Sequence, residues 1–305
     1  MFRRLGAVLT VMAAAAFPAV PAAGASTPAA GASTPAAGAS TSAAVASAPG
    51  RVASVAHRGA SAHAPENTIA AFRLARRQQA DLFELDVQET RDRRLVLMHD
   101  TTLARTTDVE RVFPGRAPWR VADFTLAEIR TLDAGSWFAP EFAGERVPTL
   151  GESLRAMGDG AMGLLLEIKA PSLYPGIERR VAGELRRHPS WVRSGPQGRR
   201  LIVQSFDFSS MRRFHRLMPQ VPIGLLGTPA AASLPDLARF ADQINPAHAG
   251  LTARYVRRVH ALGMEVFTWT VNGASAMRRA VDLGVDGIIT DRPDLLGEVL
   301  SGRAV

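Results

Sequence analysis

Short apolar segments alternate with helix-forming segments along residues 51–305, and no other feature of the chain limits its fold so strongly. Runs with the length and composition of β-strands lie at 52–56, 82–87, 95–99, 164–168, 201–204, 223–226, 243–245, 266–271 and 287–290. Helical patterns occupy most of the gaps, at 68–79, 177–187, 209–217, 254–261 and 274–283. A repeat of strand and helix predicts a parallel sheet covered by helices.

The number and spacing of the strands fit an eight-stranded barrel with one additional hairpin strand. Only residues 88–94 separate the second run from the third, whereas a crossover between parallel strands needs about a dozen residues or more. These two runs therefore form an antiparallel hairpin, which leaves eight strands for a ring. Residues 51–305 also have the length of such a barrel, about 250 residues. We predict an α/β fold, a (β/α)8 TIM barrel with a β-hairpin extension.

Residues 101–148 interrupt the alternation directly after the hairpin. They contain one short predicted helix, at 125–132, and the apolar side chains Trp119, Trp137 and Phe138. We interpret this stretch as a small insertion in the barrel. Its aromatic residues either pack into a core of the insertion or form an apolar rim that binds membranes.

The N-terminal part of the chain has none of this alternation. Residues 1–25 combine an early charged pair, a short apolar stretch and an A-x-A site at 23–25, the pattern of a cleaved secretory signal peptide. The apolar stretch is shorter than the ~20 residues of a membrane-spanning helix. Residues 26–50 repeat Pro, Ala, Gly, Ser and Thr, which predicts a disordered linker. The chain is therefore predicted to be secreted and extracellular, without a stable membrane span, and to fold over 51–305.

Composition removes several kinds of function. The chain contains no cysteine, which excludes disulfide bonds, a thiol nucleophile and cysteine-bound zinc. Its formal charge of +8 comes from residues scattered along the sequence, without a basic run or a stripe of aromatic residues. We therefore expect no nucleic acid partner, and no protein partner is implied. Of the 36 lysine and arginine residues only Lys169 is a lysine.

Polar side chains stand at the ends of successive predicted strands, where core residues would be expected. The carboxyl ends of barrel strands line the mouth in which TIM-barrel active sites lie. Taken singly, each polar residue is more simply explained as a member of a structural ion pair or as a solvent-exposed residue at the end of a strand. Their joint occurrence at neighbouring strand ends predicts one shared site. The residues are His57 and Arg58, Glu84 and Asp86, His99, and Glu167 and Lys169.

The residue types indicate the chemistry of that site. Three carboxylates in one mouth require a cation, because burying like charges together is costly. Oxygen ligands suit Ca²⁺ or Mg²⁺ better than zinc. Arg58 and Lys169 add fixed positive charge, which together with a metal suits the oxygens of a phosphate transition state. His57 and His99 can accept and donate protons near neutral pH.

The same residues form motifs that resemble the glycerophosphodiester phosphodiesterases. In chain order the motifs are His57-Arg58-Gly59, Pro65-Glu66-Asn67-Thr68, Glu84-Leu85-Asp86-Val87, His99-Asp100, Glu167-Ile168-Lys169, Gln204-Ser205-Phe206, Trp269-Thr270-Val271-Asn272 and Asp286-Gly287-Ile288-Ile289-Thr290-Asp291. The resemblance covers about residues 53–300. It implies a metal-dependent TIM barrel with a small inserted region, which corresponds to 101–148. The hairpin turn 91–94 departs from the family because it lacks the glycine often found there.

The resemblance implies a role for each matched position. The implied metal ligands are Glu84, Asp86 and Glu167, the implied general acid–base pair is His57 and His99, and the implied phosphate contacts are Arg58 and Lys169. Further candidates for substrate contact are Asn67, Gln204 and Trp269. A helix-capping role for the segment of Asn67 and a core position for Trp269 are the alternatives. The metal is expected to be Ca²⁺ or Mg²⁺, between which the sequence does not distinguish.

We therefore predict a secreted, metal-dependent enzyme that hydrolyses glycerophosphodiesters, such as glycerophosphocholine, to glycerol 3-phosphate and an alcohol. In the family, a glycerol hydroxyl beside the phosphate is thought to attack it, and water then opens the resulting cyclic phosphate. One alternative is a lysophospholipase D or sphingomyelinase-D-like lipid phosphodiesterase, which needs a membrane-binding rim. Another is a non-catalytic binding module on the same scaffold. The sequence does not rank the possible head groups.

Overall fold

The computed structural model describes residues 51–158, 160–193 and 201–302. The predicted signal peptide (1–25) and linker (26–50) lie outside these residues. Within them, every helix is too short or too polar to cross a lipid bilayer.

Nine strands of the described chain form one sheet, and eight of them close into a parallel barrel. The strands are Ala53–Ala56 (β1), Leu82–Glu89 (β2), Leu95–Leu97 (β3), Gly163–Ile168 (β4), Leu201–Ser205 (β5), Ile223–Leu226 (β6), Gln243–Asn245 (β7), Glu265–Thr268 (β8) and Gly287–Thr290 (β9). β1 pairs in parallel with both β2 and β9, which closes the ring. β2 continues beyond the ring and pairs antiparallel with β3. The predicted barrel and its hairpin extension are confirmed.

Helices follow the strands around the barrel. They are Ile69–Arg77 (α1), Val109–Val112 (α2), Leu126–Ile129 (α3), Leu150–Met157 (α4), Ile177–Arg187 (α5), Pro189–Val192 (α6), Phe208–Leu217 (α7), Leu234–Leu237 (α8), Ala253–His260 (α9), Ala274–Asp282 (α10) and Pro293–Leu300 (α11). α1 begins after Thr68, whose side chain accepts a hydrogen bond from the Ala71 amide. A threonine cap of this kind satisfies an otherwise unpaired amide of the first turn.

Two apolar layers stabilise the barrel. The inner layer consists of Ala53, Val55, Leu82, Leu165, Ile202, Phe267 and Ile289. Gly287 leaves room for it, because a Cβ at this position would lie 2.7 Å from the Phe267 ring. The outer layer lies between sheet and helices, where Phe83 of β2 packs against Phe72 and Trp191 with ring centroids 4.8 and 6.0 Å away. Because the interior is filled, polar side chains can gather only at the barrel ends.

Two strands end earlier than the sequence pattern predicts. β3 stops at Leu97, and β8 stops at Thr268 although the apolar run continues to Val271. Beyond β8 the Trp269 amide donates to the Pro246 carbonyl at 3.2 Å, and the Val271 amide donates to Ile289 at 3.0 Å. Residues two apart in a regular strand bond to the same neighbour, whereas Trp269 and Val271 bond to opposite neighbours, so the backbone leaves the regular ladder at the barrel mouth.

The insertion at 101–148 packs with β3 around a small core of its own. The core residues are Val96, Met98, Leu103, Val109, Val121, Phe124, Ile129, Leu132, Ala134 and Val147. Trp119 packs against this core, and its Nε1 donates to the Phe113 carbonyl at 2.8 Å. Trp137, Phe138 and Phe142 pack on one another edge to face, and Trp137 is 39% exposed. The insertion thus buries part of its aromatic surface and leaves part of it in solvent.

Candidate active site

Three buried carboxylates meet at the mouth of the barrel. Glu84 and Asp86 belong to β2, and Glu167 lies beside Asp86 on the neighbouring strand β4. One oxygen from each carboxylate lies within 4.8 Å of the others, and none of the three residues is more than 6% exposed. The alternation of side chains along two parallel strands therefore brings the three predicted metal ligands together.

The burial of these like charges opposes their ionisation. Burial, Asp86 and Glu167 together raise the pKa of Glu84 well above its usual range. Burial and Asp86 raise the pKa of Glu167 to about 8. Burial also opposes the ionisation of Asp86, but Lys169 and Arg58 outweigh it and hold the pKa of Asp86 below its usual range. The cluster therefore retains protons at neutral pH unless more positive charge enters it.

Two cations adjoin the carboxylates. Lys169 Nζ lies 3.2 Å from Asp86 Oδ1 and 2.9 Å from Glu167 Oε1. Arg58 Nε lies 3.4 Å from Asp86 Oδ2. Burial would lower the pKa of either cation, but Asp86 and the other carboxylates outweigh it and raise the pKa of both. Asp86 anchors both cations on the cluster. Each cation is nevertheless 16% exposed, so it remains accessible from the mouth.

The donor set fits a divalent cation that prefers oxygen. The three carboxylates offer hard oxygen ligands, which Ca²⁺ and Mg²⁺ both accept. Asp86 Oδ1 is buried without a hydrogen-bond partner in the described chain, although the charge of Lys169 lies 3.2 Å away. A metal ion would satisfy this oxygen and remove the repulsion that keeps the cluster protonated.

Asn67 holds Asp86 in place through two hydrogen bonds. Its Nδ2 donates to Asp86 Oδ2 at 2.9 Å, and its Oδ1 accepts from the Asp86 amide at 3.0 Å. Asn67 is buried, and both ends of its amide are engaged with Asp86. The structure therefore does not place Asn67 at the surface of the pocket, where the sequence predicted a substrate contact. It orients a candidate metal ligand instead.

Both candidate catalytic histidines line the same pocket. His57 Nδ1 lies 2.7 Å from Asp291 Oδ1, and His99 Nδ1 lies 2.7 Å from Asp100 Oδ1. A carboxylate can only accept, so we assign the proton of each pair to Nδ1, which leaves Nε2 for a substrate. Burial lowers the pKa of His99, and the negative charge of Asp86 offsets this only in part. This shift favours the neutral form of the His99 ring.

The rest of the pocket wall is uncharged. The pocket has a cavity volume of about 110 Å³, and its uncharged lining includes Gln204, Phe206, Leu226, Trp269, Thr270 and Ile289. Trp269 Nε1 donates to the Asn245 carbonyl at 2.7 Å, and the ring meets Phe206 edge to face at 5.6 Å. Gln204 Oε1 accepts from Asn245 Nδ2 at 2.8 Å. Gln204 and Trp269 thus line the pocket, as a substrate contact requires.

Arg105 of the insertion links the two sides of the charged site, and the sequence did not indicate it. Its guanidinium donates to both oxygens of Glu66, at 2.7 and 2.9 Å, and its Nε donates to Asp100 Oδ2 at 2.7 Å. Glu66 in turn accepts from Arg58 Nη1 at 3.0 Å. Hydrogen bonding from Arg105 lowers the pKa of Asp100 to about 2. One arginine therefore connects the partner of His99 with the partner of Arg58.

Two other supporting residues had a sequence signal that could have identified them. Asp100 directly follows His99, and Asp291 directly follows the last residue of β9. The rule that placed His57 and Lys169 in the mouth, proximity to a strand end, applies equally to these aspartates. Arg105 has no such signal, because it lies in an irregular segment whose path only the structure reveals.

Comparison with known proteins agrees with this geometry. The sequence profile of the glycerophosphoryl diester phosphodiesterase family matches residues 57–295. A glycerophosphodiester phosphodiesterase of Caldanaerobacter subterraneus is 39% identical over 243 residues, which cover 79% of this chain and 94% of that protein. One of Bacillus subtilis is 37% identical over 260 residues, with 81% and 85% covered. The structure of an Oleispira antarctica phosphodiesterase in complex with the product sn-glycerol-3-phosphate has a TM-score of 0.72 and 29% identity, and the match covers 82% of this chain and 96% of that one. This chain belongs to the glycerophosphoryl diester phosphodiesterase family.

Proposed function

We propose that this enzyme hydrolyses small glycerophosphodiesters to glycerol 3-phosphate and an alcohol. The observation that carries the proposal is the convergence of three carboxylates, two cations and two histidine–aspartate pairs on one pocket. The names of the related enzymes and the product bound to the Oleispira protein support the same reaction. Oxyanions need such positive charge, and alcohol exchange at phosphorus needs such proton carriers.

The residues that would hold a divalent metal are Glu84, Asp86 and Glu167. When bound, Ca²⁺ or Mg²⁺ would supply Lewis-acid stabilisation of a phosphate oxygen. Glu84 and Glu167, whose ionisation is opposed by burial, would then be held in their ionised, metal-binding form.

Arg58 and Lys169 have the positions to bind the phosphate. Each is anchored on Asp86 and partly exposed to the pocket, so neither has to be reoriented when the substrate enters. The planar guanidinium of Arg58 can donate to two oxygens, whereas the Lys169 ammonium acts as a compact point charge. Fixed charges of this kind stabilise negative charge that grows in the transition state.

The two histidines would carry the protons. In the first step, the glycerol hydroxyl beside the phosphate forms a bond to phosphorus and gives its proton to the Nε2 of one histidine. The bond from phosphorus to the head-group oxygen breaks, and the other histidine donates a proton to that oxygen. The lowered pKa of His99 makes it the proton acceptor in this proposal, with His57 as the donor. An internal hydroxyl is an effective nucleophile because it is already in place.

In the second step, water opens the cyclic phosphate with the proton roles reversed. His57, now deprotonated, accepts a proton from water, and His99 returns its proton to the glycerol oxygen that leaves phosphorus. The products are glycerol 3-phosphate and the free head-group alcohol, and both histidines return to their starting states. Asp291 and Asp100 hold the two rings throughout, since each accepts from an Nδ1 at 2.7 Å.

The test is release of glycerol 3-phosphate from glycerophosphocholine by the purified protein after chelation, with Ca²⁺ or Mg²⁺ added back. His57→Ala and Glu84→Ala should abolish release, and a substrate without the neighbouring hydroxyl should not be cleaved. Cleavage of that deoxy substrate at an equal rate would exclude the internal nucleophile. Release from lysolipids alone would replace this proposal by the lipid phosphodiesterase alternative.

The proposal extends to where the enzyme acts. The signal-peptide pattern at 1–25 and the linker composition at 26–50 support export of a folded domain that starts near residue 51. The measurement is the N-terminal sequence and cellular fraction of the protein expressed with its full leader. An intact N-terminus in the cytoplasmic fraction would contradict export.

A further inference from the structure

A second polar groove lies outside the barrel, between helices α4 and α5 and beneath the turn of the β2–β3 hairpin. Its volume is about 680 Å³, and it shares no lining residue with the pocket at the mouth. Gly183 of α5 is among its lining residues, and no side chain fills the space in front of it. Gly151 of α4 also lines the groove, where it leaves room for the Glu184 carboxylate, whose Oε1 would clash with a Cβ at this position. Its charged lining is Arg93, Arg94, Arg155, Arg179, Arg180, Arg187 and Glu184.

Most of the positive charge in this groove is not neutralised by the protein. Arg180 pairs with the buried Glu89, and Arg187 pairs with Glu184 at 2.7 Å. Among the residues that the structure describes, Arg93, Arg155 and Arg179 form no ion pair with a carboxylate. All three are exposed. Arginines that repel one another in a concave surface favour the approach of an anion.

Arg93 occupies a backbone position that suits glycine. The hairpin turn has the Arg93 amide bonded to the Thr90 carbonyl at 2.9 Å and the Thr90 amide bonded to the Arg94 carbonyl at 3.0 Å. In a loop of this kind the residue after the turn is left-handed, and glycine adopts that conformation without a steric penalty. Arg93 has a φ of 59°. The turn therefore carries a long cationic side chain at a position where the backbone conformation favours glycine.

Arg179 also stands where the fold does not favour it. It lies in the first turn of α5, which begins at Ile177. The free amides at a helix start carry partial positive charge, so a cation there is unfavourable and an anion is favourable. Arg93 and Arg179 thus add positive charge to the same groove from two positions with a structural penalty.

We propose that this groove binds a linear polymer that carries phosphate groups along its length. Guanidinium groups bind phosphate oxygens through paired hydrogen bonds, and their arrangement along two helices suits an extended chain. The concave shape excludes a flat lipid surface from most of the lining. None of the lining residues is aromatic, so the groove has no platform on which nucleobases could stack. The proposal therefore favours a phosphate polymer without bases, and it does not depend on the proposed reaction.

The probe is a short inorganic polyphosphate chain, with its affinity measured across a salt series. The groove variant combines Arg93→Gly, Arg155→Gln and Arg179→Gln. The control combines Arg254→Gln, Arg257→Gln and Arg258→Gln, three exposed positions on α9 that change the net charge equally. The groove variant should bind about 10- to 100-fold more weakly near 0.1 M salt, with a salt slope smaller by about 2. An equal loss in both variants would show a general charge effect and overturn the proposal.

Arg93→Gly alone separates binding from folding. It should leave the melting temperature unchanged or raise it, because glycine tolerates the left-handed turn, and it should still weaken polyphosphate binding. His57→Ala should bind polyphosphate as the unaltered protein does, and the groove variant should keep its hydrolytic activity. Unchanged affinity in Arg93→Gly, or binding to anionic phosphatidylglycerol vesicles in preference to polyphosphate, would contradict the proposal.

Discussion

The mouth of the barrel has two halves that differ in how many additional residues hold their side chains in place. The charged half consists of His57, Arg58, Glu84, Asp86, His99, Glu167 and Lys169, and the neutral half consists of Gln204, Phe206, Leu226, Asn245 and Trp269. In the neutral half, Asn245 alone fixes its neighbours, by one bond to Gln204 and one from Trp269. In the charged half, almost every group is held by a further charged residue, and Arg105 joins two of these supports.

The physical reason for the difference is the free energy of burying charge. A buried indole needs one hydrogen bond to be satisfied, and a neutral amide that lacks a partner for one of its groups costs less free energy than an unpaired charge. A buried ion needs an opposite charge and several donors, each of which must itself be held in place. The charged half therefore depends on residues from the insertion and from the loop after β9, whereas Gln204 and Trp269 are each held by a hydrogen bond with Asn245 of β7.

The largest effect is expected from Glu167→Gln, which removes a charge from the centre of the charged half. Loss of a proposed metal ligand should lower kcat/KM by about 10²–10³-fold or more. The metal-free protein should become more stable by about 1 kcal/mol or more at neutral pH, because the raised pKa of Glu167 shows that its ionised form opposes folding. Activity assays and thermal unfolding with and without Ca²⁺ or Mg²⁺ check both parts.

Glu178→Gln is the matched control for that prediction. Glu178 is equally buried, but Ser210 and Arg213 donate to it at 2.7 Å each. Its substitution should therefore destabilise the protein and leave kcat/KM almost unchanged. If both variants lost stability and Glu167→Gln alone lost activity, the hypothesis that burial of the mouth carboxylates destabilises the folded protein would be wrong.

Arg105→Gln should have the next largest effect, because it disconnects the supports within the charged half. We expect kcat to fall by about 10- to 100-fold, as for other residues that orient catalytic groups. Arg105→Lys should restore only part of it, since an ammonium cannot bridge Glu66 and Asp100 with the geometry of a guanidinium. The measurement is kcat and KM for the three proteins side by side.

The control for Arg105 is Arg111→Gln, a change of the same kind in the same insertion. Arg111 is 78% exposed, and within the described part of the chain it pairs with Asp108 alone, so its loss should leave the kinetics unaltered. Equal kinetics for Arg105→Gln and the unaltered enzyme would mean that His99 and Arg58 are held without the insertion.

The same contrast explains how much of the site could be predicted from the sequence. The alternation of side chains along a strand predicted that Glu84 and Asp86 share one face, and that Glu167 and Lys169 do so as well. The parallel arrangement of the strands predicted that all four lie at the mouth of the barrel. The barrel and the hairpin followed from strand spacing in the same way. Those predictions depend on regular backbone, for which residue number determines direction.

What the sequence did not predict depends on irregular backbone. Asn67 was expected at the pocket surface, but the turn before α1 directs its amide to Asp86. Arg105 reaches the site through the insertion, whose path follows from its own small core and not from any periodicity. Position along a strand can be read from a sequence, whereas the reach of a loop side chain requires the packed structure.

Trp269→Leu tests the neutral half and should have a moderate effect. If the ring forms a wall for the organic part of the substrate, KM should rise by about tenfold while kcat changes little. Trp137→Leu is the matched control, because Trp137 lies on the insertion surface at 39% exposure and does not line the pocket. A rise in KM for lysolipids with Trp137→Leu, without one for glycerophosphocholine, would indicate a membrane-binding role for that surface.

The smallest effect is expected from Asp291, whose ionisation makes the free energy of unfolding depend on pH. Burial opposes its ionisation, but hydrogen bonds from His57, Asn272 and Ser61 lower the pKa of Asp291 to about 2. A carboxylate with a lowered pKa stabilises the folded state above its unfolded pKa, near 3.8, and this contribution disappears as the pH falls through about 2. Asp291→Asn should therefore cost about 1 kcal/mol of unfolding free energy between pH 6 and 8, after allowance for partial exposure. Denaturant unfolding of both proteins from pH 7 down to about pH 2 should show a constant separation at the neutral end that narrows below about pH 3.8 and nearly vanishes near pH 2. A separation that does not narrow would mean that the charge of Asp291 does not contribute.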